Sequence, residues 1–345
     1  MPTQKKHILI IRLSAMGDVA MTVPVLRALV AQYPEVRLSV LTRAFFKPFF
    51  RDLPNVSVFE ADLKGRHKGL FGLWKLSQEL RALGFDAVAD LHNVLRTKIL
   101  KCFFFGRKVV QIDKGRAEKK ALVTGQKFEQ LKTTHERYAD VFEKLGFPLD
   151  LSNPSFPERA RLSPELLEIL GTDTKKWIGI APFAAFSGKM YPIDLIEKVI
   201  EILSKTYKVI LFGAGKDEIL LIKKLLKGKA NSINLAGQLA FSEELDVISN
   251  LDVMLAMDSG NAHIAAMLGV EVVTIWGVTH PFAGFYPFNQ SKNNAILADR
   301  KQFPQIPTSI YGKDYPKGYD KAMRNISPEQ VVSKINSILE NSAFK

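Results

Sequence analysis

A single cysteine, Cys102, stands in 345 residues, so an internal disulfide and a zinc site built from several cysteines are both excluded. Such sparing use of cysteine fits a reducing, cytoplasmic setting. Long apolar runs are missing too: no stretch approaches the roughly 18 residues that a membrane-spanning helix needs. The short aliphatic opening is cut by Arg12 and suits a first strand better than a secretory leader. Internal repeats and low-complexity tracts are lacking. The common nucleotide signatures are absent as well. There is no G-x-G-x-x-G, and Gly213-Ala214-Gly215-Lys216-Asp217 lacks the spacing of a phosphate-cradling P-loop. Asp-x-Asp, a frequent way of holding a metal on a nucleotide diphosphate, occurs nowhere.

What is present is an ordinary globular composition, 47% apolar and 24% charged, in a chain long enough for two cores. The net charge of +13 is unevenly placed. Residues 1–170 carry 28 Lys/Arg against 18 Asp/Glu, whereas the remainder carries 20 against 17. Within the first half, His92–Lys132 holds 11 basic and 3 acidic residues. A field of one sign raises the local concentration of anionic partners. Phosphorylated lipid headgroups, sugar acids and nucleic acid all qualify, and so does a merely solvated surface.

Hydrophobic periodicity predicts strands at His7–Leu13, Val36–Leu41, Val56–Phe59, Asp86–Leu91 and Lys108–Ile112. A helix is predicted at Leu70–Leu83, and another from Thr22, read as an N-cap ahead of Pro24. A polar stretch around Asp150–Glu158 with three nearby prolines reads as a linker. A second series then begins, with strands at Trp177–Pro182, Lys208–Gly213, Ser232–Leu235, Asp252–Met257 and Glu271–Trp276. Helices are predicted between them at Ile193–Thr206, Asp217–Leu226 and Glu243–Asn250. Lys301–Lys317 has no periodicity and reads as a long loop, and Pro328–Leu339 as a closing amphipathic helix. Alternating strands and helices imply α/β architecture with two doubly wound, Rossmann-like domains. The expected domains are 1–155, 172–320 and a last helical segment, 321–345, packing back towards the first domain. Two such domains facing a central cleft would bind ligands on the loops that follow strands.

Three of those loops carry chemistry. Asp258-Ser259-Gly260-Asn261-Ala262-His263 joins a strand to a helix, so backbone N–H groups converge at the helix start and Gly260 permits close approach. Residue by residue, capping by Ser259 and packing of His263 are the better explanations, whereas the six residues as a unit at a strand end point to a ligand site. Ser14, Met16, Gly17 and Asp18 form a small-residue turn after the first strand. Asp18 is a candidate general base or, alternatively, a helix cap. Lys189, with Ser187 beside it, follows the strand ending at Pro182, where an ammonium could neutralise a phosphate.

Together these pieces resemble glycosyltransferase family 9, the lipopolysaccharide heptosyltransferases. The strand followed by Gly-Asp and a Pro-containing helix matches Ile8–Leu29. A Lys-x-Trp-Pro element corresponds to Lys189-Met190-Tyr191-Pro192, and Asp-Ser/Thr-Gly-x-x-His to Asp258–His263. Thr274–Thr279 is similar to the family's strand and Gly-Pro-Thr turn, with Val278 for Pro, and His135–Tyr138 to the helix before its linker. The resemblance implies a GT-B fold and an inverting, metal-independent transfer with no cofactor. It implies Asp18 and Lys189 as catalytic residues, and Ser187, Lys189, Asp258, Ser259, Gly260 and His263 around a nucleotide-sugar donor such as ADP-heptose. Ser14, Met16, Gly17, Arg96 and Lys98 would serve the acceptor, an anionic lipid-linked saccharide of the lipopolysaccharide inner core. The enzyme would be cytoplasmic, in peripheral contact with the inner membrane surface, and would bind no nucleic acid.

Rival readings are a sugar-nucleotide epimerase of the same architecture, a non-catalytic relative, and a basic nucleic-acid-binding protein. The last would use stacking aromatics among basic residues. Phe103-Phe104-Phe105, between Lys101 and Arg107, is the nearest approach and is expected to be a buried strand edge.

Overall fold

The computed structural model describes residues 6–341. Residues 1–5 and 342–345, the outer ends of the first and last expected segments, lie outside the described residues. The chain divides into two compact units. The first takes the described residues up to Lys114 together with Thr133–Ser155, and the second takes Gly115–Lys132 and everything from Phe156 on.

The elements run in order β1 His7–Ile11, α1 Met16–Ala20, α2 Thr22–Gln32, β2 Arg37–Thr42, β3 Val56–Glu60, α3 Gly69–Arg81, β4 Ala87–Asp90, α4 Leu95–Cys102 and β5 Lys108–Gln111. Next come α5 Arg116–Val123, α6 Thr134–Leu145, α7 Pro164–Leu170, β6 Trp177–Ala181, α8 Ile193–Leu203, β7 Lys208–Leu211 and α9 Lys216–Leu225. The chain continues with β8 Ser232–Asn234, α10 Phe241–Ser249, β9 Val253–Met257, α11 Gly260–Met267, β10 Glu271–Trp276, β11 Ala295–Leu297 and α12 Pro328–Asn341.

The first sheet has the order β3-β2-β1-β4-β5 with every pairing parallel. β1 is buried along its whole length, as a central parallel strand covered on both faces must be. Its core joins Leu9, Ile11 and Leu13 to Leu73, Leu76 and Leu80 of α3. The second sheet, β11-β10-β9-β6-β7-β8, is parallel throughout as well. In each sheet the winding reverses once, between β1 and β4 and between β6 and β9. Ligands of such sheets sit outside the carboxyl ends of the strands at that reversal. The loops after these four strands are therefore where each unit's chemistry belongs.

Several expectations need correction. Thr22 does not cap a helix: helical structure begins at Met16, and the Thr22 hydroxyl donates to the Val19 carbonyl at 2.7 Å inside a nearly continuous α1–α2 pair. Pro24 is tolerated because first-turn N–H groups have no intrahelical acceptor. Residues 115–132 group with the second unit rather than the first, because Leu122 and Leu131 bury themselves with Ala283. The Leu131 N–H also donates to the Phe282 carbonyl at 2.9 Å. The last helix belongs to the second unit too, since Val331, Val332, Ile335, Ile338 and Leu339 of α12 fill its core with α8 and β9. Phe103–Phe105 is no strand edge but the turn after α4. Phe104 is buried edge-on to Phe85, while Phe105 is exposed.

Ile335 is fully buried, so Ile335→Ala should remove both transfer energy and packing. A loss of about 2–5 kcal/mol is expected in urea unfolding followed on the second unit. A change below ~0.5 kcal/mol, the size seen at exposed sites, would show that α12 is not part of that core.

Candidate functional site

In the first unit, the loops after β1 and β4 form one polar patch. Arg12 leaves β1 buried. Its guanidinium donates to the Leu91 carbonyl at 2.6 Å and forms an ion pair with the carboxylate of Asp18 on α1. It also lies 5.9 Å from the centroid of the Tyr138 ring. Tyr138 comes from α6, whose start is fixed by Thr133 and Glu136 each bonding the other's backbone N–H. The Tyr138 hydroxyl donates to the Asp18 carbonyl at 3.2 Å, and burial pushes its pKa well above the usual phenol range. Asp18 is thus gripped at side chain and backbone while remaining partly exposed.

The loop after β4 is ordered by Asp90. This fully buried carboxylate accepts from the backbone N–H of His92 at 3.0 Å and of Asn93 at 2.8 Å, and from the Thr97 hydroxyl at 2.9 Å, and pairs with Lys101 at 2.8 Å. His92 is thereby set with Nε2 3.4 Å from the Ser14 hydroxyl. Burial, then Arg12 and Lys114, lowers its pKa to about 4, so it is neutral at physiological pH. Its buried Nδ1 has no hydrogen-bond partner. Of the acceptor-side candidates, Ser14, Met16 and Gly17 lie in this patch, whereas Arg96 and Lys98 stand exposed on α4.

In the second unit, the loops after β6 and β9 meet. Lys189, in a short 3-10 turn Ser187–Lys189, pairs with Asp258 at 3.1 Å, and both side chains are mostly buried. The other partner of Asp258 is the Thr279 hydroxyl, which donates at 2.9 Å. Ser259 occupies the N-cap position of α11 but makes no side-chain cap. Its buried hydroxyl is without a partner. Gly260 opens the helix, and His263 is buried one turn on.

Close backbone approach holds these loops together. The Val278 N–H donates to the Gly188 carbonyl at 3.0 Å. A Cβ on Gly277 would lie 2.4 Å from that same oxygen, so no side chain fits. The long loop expected at 301–317 completes the patch. Gly312, at φ +74°, touches the Lys189 stem, and the Tyr315 hydroxyl is 2.9 Å from that of Ser187. Thr308 and Tyr315 also line an open cavity of about 700 Å³ with Phe128 and Arg300. Beside that cavity, burial and Arg300 lower the pKa of His280, whose ring packs on Phe128, to about 4.

Sequence reasoning named Ser187, Lys189, Asp258, Ser259, Gly260 and His263, and the structure brings all six together. It missed Arg12, Asp90, His92, Thr279 and Tyr315. A charge directly after the aliphatic run Ile8–Ile11 was the available signal for Arg12, and a carboxylate closing a strand was the one for Asp90. Thr279 lies in the turn whose likeness to the family was visible but which carried no assigned role, and Tyr315 reaches the site from a distant loop that left no local signal. Among the described residues, no three His, Cys, Asp or Glu side chains converge so as to hold a metal ion. No helix among them is long and apolar enough to cross a membrane.

Comparison with known proteins gives the class first. A glycosyltransferase of family 9 from Veillonella parvula shares the fold with a TM-score of 0.77 at 22% identity, over 99% of each chain. Escherichia coli ADP-heptose lipopolysaccharide heptosyltransferase II does so with a TM-score of 0.71 at 20% identity, over 98% of this chain and 99% of that one. The fold is that of sugar-transferring enzymes of the GT-B kind, each unit built on a parallel sheet. In sequence, the chain is 26% identical to lipooligosaccharide heptosyltransferase 2 of Haemophilus influenzae, covering 96% of this chain and 99% of that protein. It is 25% identical to lipopolysaccharide heptosyltransferase 2 of E. coli, covering 96% and 98%. The model of glycosyltransferase family 9 (heptosyltransferase) matches residues 73–311, and the chain belongs to that family. Membership makes it a glycosyltransferase and sets aside the epimerase reading.

Two outcomes follow from the geometry. Lys189→Met strands the buried Asp258 carboxylate and is expected to cost about 3–5 kcal/mol, with partial recovery in Lys189→Met/Asp258→Asn. Additive losses in a denaturation cycle would show that the two groups do not interact. His92 is held below its ordinary pKa of 6.5, so below that pH the unfolded chain binds a proton before the folded one does. Stability should fall as pH drops from about 6.5 towards about 4, and less steeply in His92→Gln. Unfolding midpoints across that range, equal in slope for both proteins, would refute the assignment.

Proposed function

We propose that the protein is an inverting, metal-independent heptosyltransferase that moves a heptose from ADP-heptose to a lipid-linked inner-core acceptor of lipopolysaccharide. The reading rests on one observation above others. Full-length relatives are lipooligosaccharide or lipopolysaccharide heptosyltransferases, and this chain places a held carboxylate and a held ammonium at the winding reversals of its two sheets. ADP-heptose is the donor that family resemblance implies, and a structural neighbour solved with ADP makes it the first to test.

In this mechanism Asp18 takes the proton from the attacking acceptor hydroxyl. The oxygen adds to the anomeric carbon from the face opposite the nucleotide, and the bond to the diphosphate breaks. Inversion follows from that single displacement. ADP departs with the electron pair, and its growing charge is met by Lys189 and by the N–H groups at the start of α11. Lys189 is paired with Asp258, and it would share that contact with the diphosphate or release it. Asp258, Ser259 and His263 would line the sugar and ribose hydroxyls. Arg12 and Tyr138 orient Asp18, and Ser14, Met16, Gly17, Arg96 and Lys98 serve the acceptor. The basic character of residues 1–170 suits a phosphorylated acceptor at the cytoplasmic face of the inner membrane.

Asp18→Asn keeps the shape and removes the base. Turnover with ADP-heptose and a deacylated inner-core acceptor is expected to fall by about 10²–10⁴-fold, with donor affinity unchanged. Near-normal turnover would sink the base assignment. Full activity that depends on added Mg²⁺ or Mn²⁺ would sink the metal-free one.

A further inference from the structure

Helix α3 has two apolar faces, and folding uses only one. Leu73, Leu76 and Leu80 lie in the core of the first unit. Leu70, Phe71 and Trp74 point the other way and are 68%, 76% and 45% exposed. Helical spacing brings these three within one turn, and the Phe71 and Trp74 rings stack with centroids 5.6 Å apart. Exposed patches of large apolar groups with a polar rim mark interaction surfaces.

The rim here is basic. Lys64, Lys68 and Lys75 are exposed, and among the described residues none of them has an ion-pair partner. The nearby acids are already occupied. Asp62 accepts the backbone N–H groups of Gly65 and Arg66 at 2.8 and 2.9 Å, and Glu79 is shared by Arg66 and His67. A second, independent conflict lies at the helix start. Lys64, Arg66 and Lys68 precede Gly69, and the first turn has no acidic residue. Cations there oppose the helix dipole, whose positive end favours anions. An anionic surface laid against this end would relieve that conflict and cover the rings in one step.

We propose that the outer face of α3 seats the protein on an anionic phospholipid bilayer. Phe71 and Trp74 enter the boundary between headgroups and acyl chains, and Lys64, Lys68 and Lys75 meet lipid phosphates. The inference deepens the reading of a lipid-linked acceptor and rests on it. A second copy of the chain is a poorer occupant, because two-fold pairing of this face would set lysines against lysines.

The test is flotation with vesicles of phosphatidylglycerol and phosphatidylethanolamine, compared with phosphatidylcholine vesicles. The wild-type protein is expected on the anionic vesicles, with binding that weakens as salt rises. Phe71→Ser/Trp74→Ser should reduce it at least about tenfold, as loss of even one buried aromatic ring would. Lys64→Gln/Lys68→Gln/Lys75→Gln should reduce it and flatten the salt dependence. All five positions are exposed, and unchanged melting curves would show that the variants fold. Brominated lipids should quench the tryptophan fluorescence of the wild type more than that of Trp74→Phe. The proposal is overturned if the wild type ignores anionic vesicles, or if the aromatic double variant floats like it. A solution dimer that the double variant abolishes would also overturn it. Transfer to a water-soluble, deacylated acceptor, run in parallel, separates the two readings. Transfer without vesicle binding removes this inference alone, whereas vesicle binding without transfer to any lipopolysaccharide acceptor removes the proposed function and leaves the surface standing.

Discussion

The second unit is organised around the mostly buried contact between Lys189 and Asp258. Neither charge is tolerable alone at that depth, because desolvation of an unpaired ion costs several kcal/mol. The pair therefore fixes where the loop after β6 must lie relative to the end of β9. Thr279 ties the loop after β10 to the same carboxylate, and Gly312 brings the long loop against the lysine stem. Four separate stretches of chain thus meet at one charge pair. Its net contribution to stability is small, and its value lies in specifying a single arrangement.

The first unit solves a comparable problem with a different part. Arg12 is carried out of the central strand straight into a buried position, where a planar guanidinium reaches the Leu91 carbonyl and the Asp18 carboxylate at once. A lysine at that position could not span both with fixed geometry. Asp90 does the matching work after β4, gathering two backbone N–H groups, a hydroxyl and an ammonium, so that the backbone of His92 is fixed and its ring is left facing Ser14. In both units the reactive-looking group is held by a neighbour that faces away from solvent.

Much of this was legible in the sequence. All ten strands predicted from apolar runs exist, and the central ones were plainest because parallel strands covered on both faces must be continuously hydrophobic, whereas edge strands β3 and β8 are only partly buried. The predicted run Lys108–Ile112 likewise forms the partly exposed edge strand β5. Asp258–His263 was legible because strand, turn and helix start are all local signals. What local signals cannot carry is contact across distance. Residues 115–132 look like part of the first unit until Leu122 and Leu131 meet Ala283, some 150 residues away in sequence. Short β11 and the turns holding Gly188 against Gly277 were hidden for the same reason. Thr22 misled because its hydroxyl closes on the helix behind it instead of the helix ahead.

The path of the backbone has a practical corollary. The chain passes between the units at Lys114–Gly115, at Lys132–Thr133 and at Ser155–Phe156. Cutting the gene at the proline-rich connector would yield a carboxyl-terminal fragment without Leu122 and Leu131, leaving bare the apolar berth that Ala283 shares with Phe282 and Phe285. Neither half is a contiguous reading frame. Recombination between relatives at that connector would likewise exchange one sheet but keep the other parent's gasket, so chimeras that respect all three crossings are the ones whose packing stays matched.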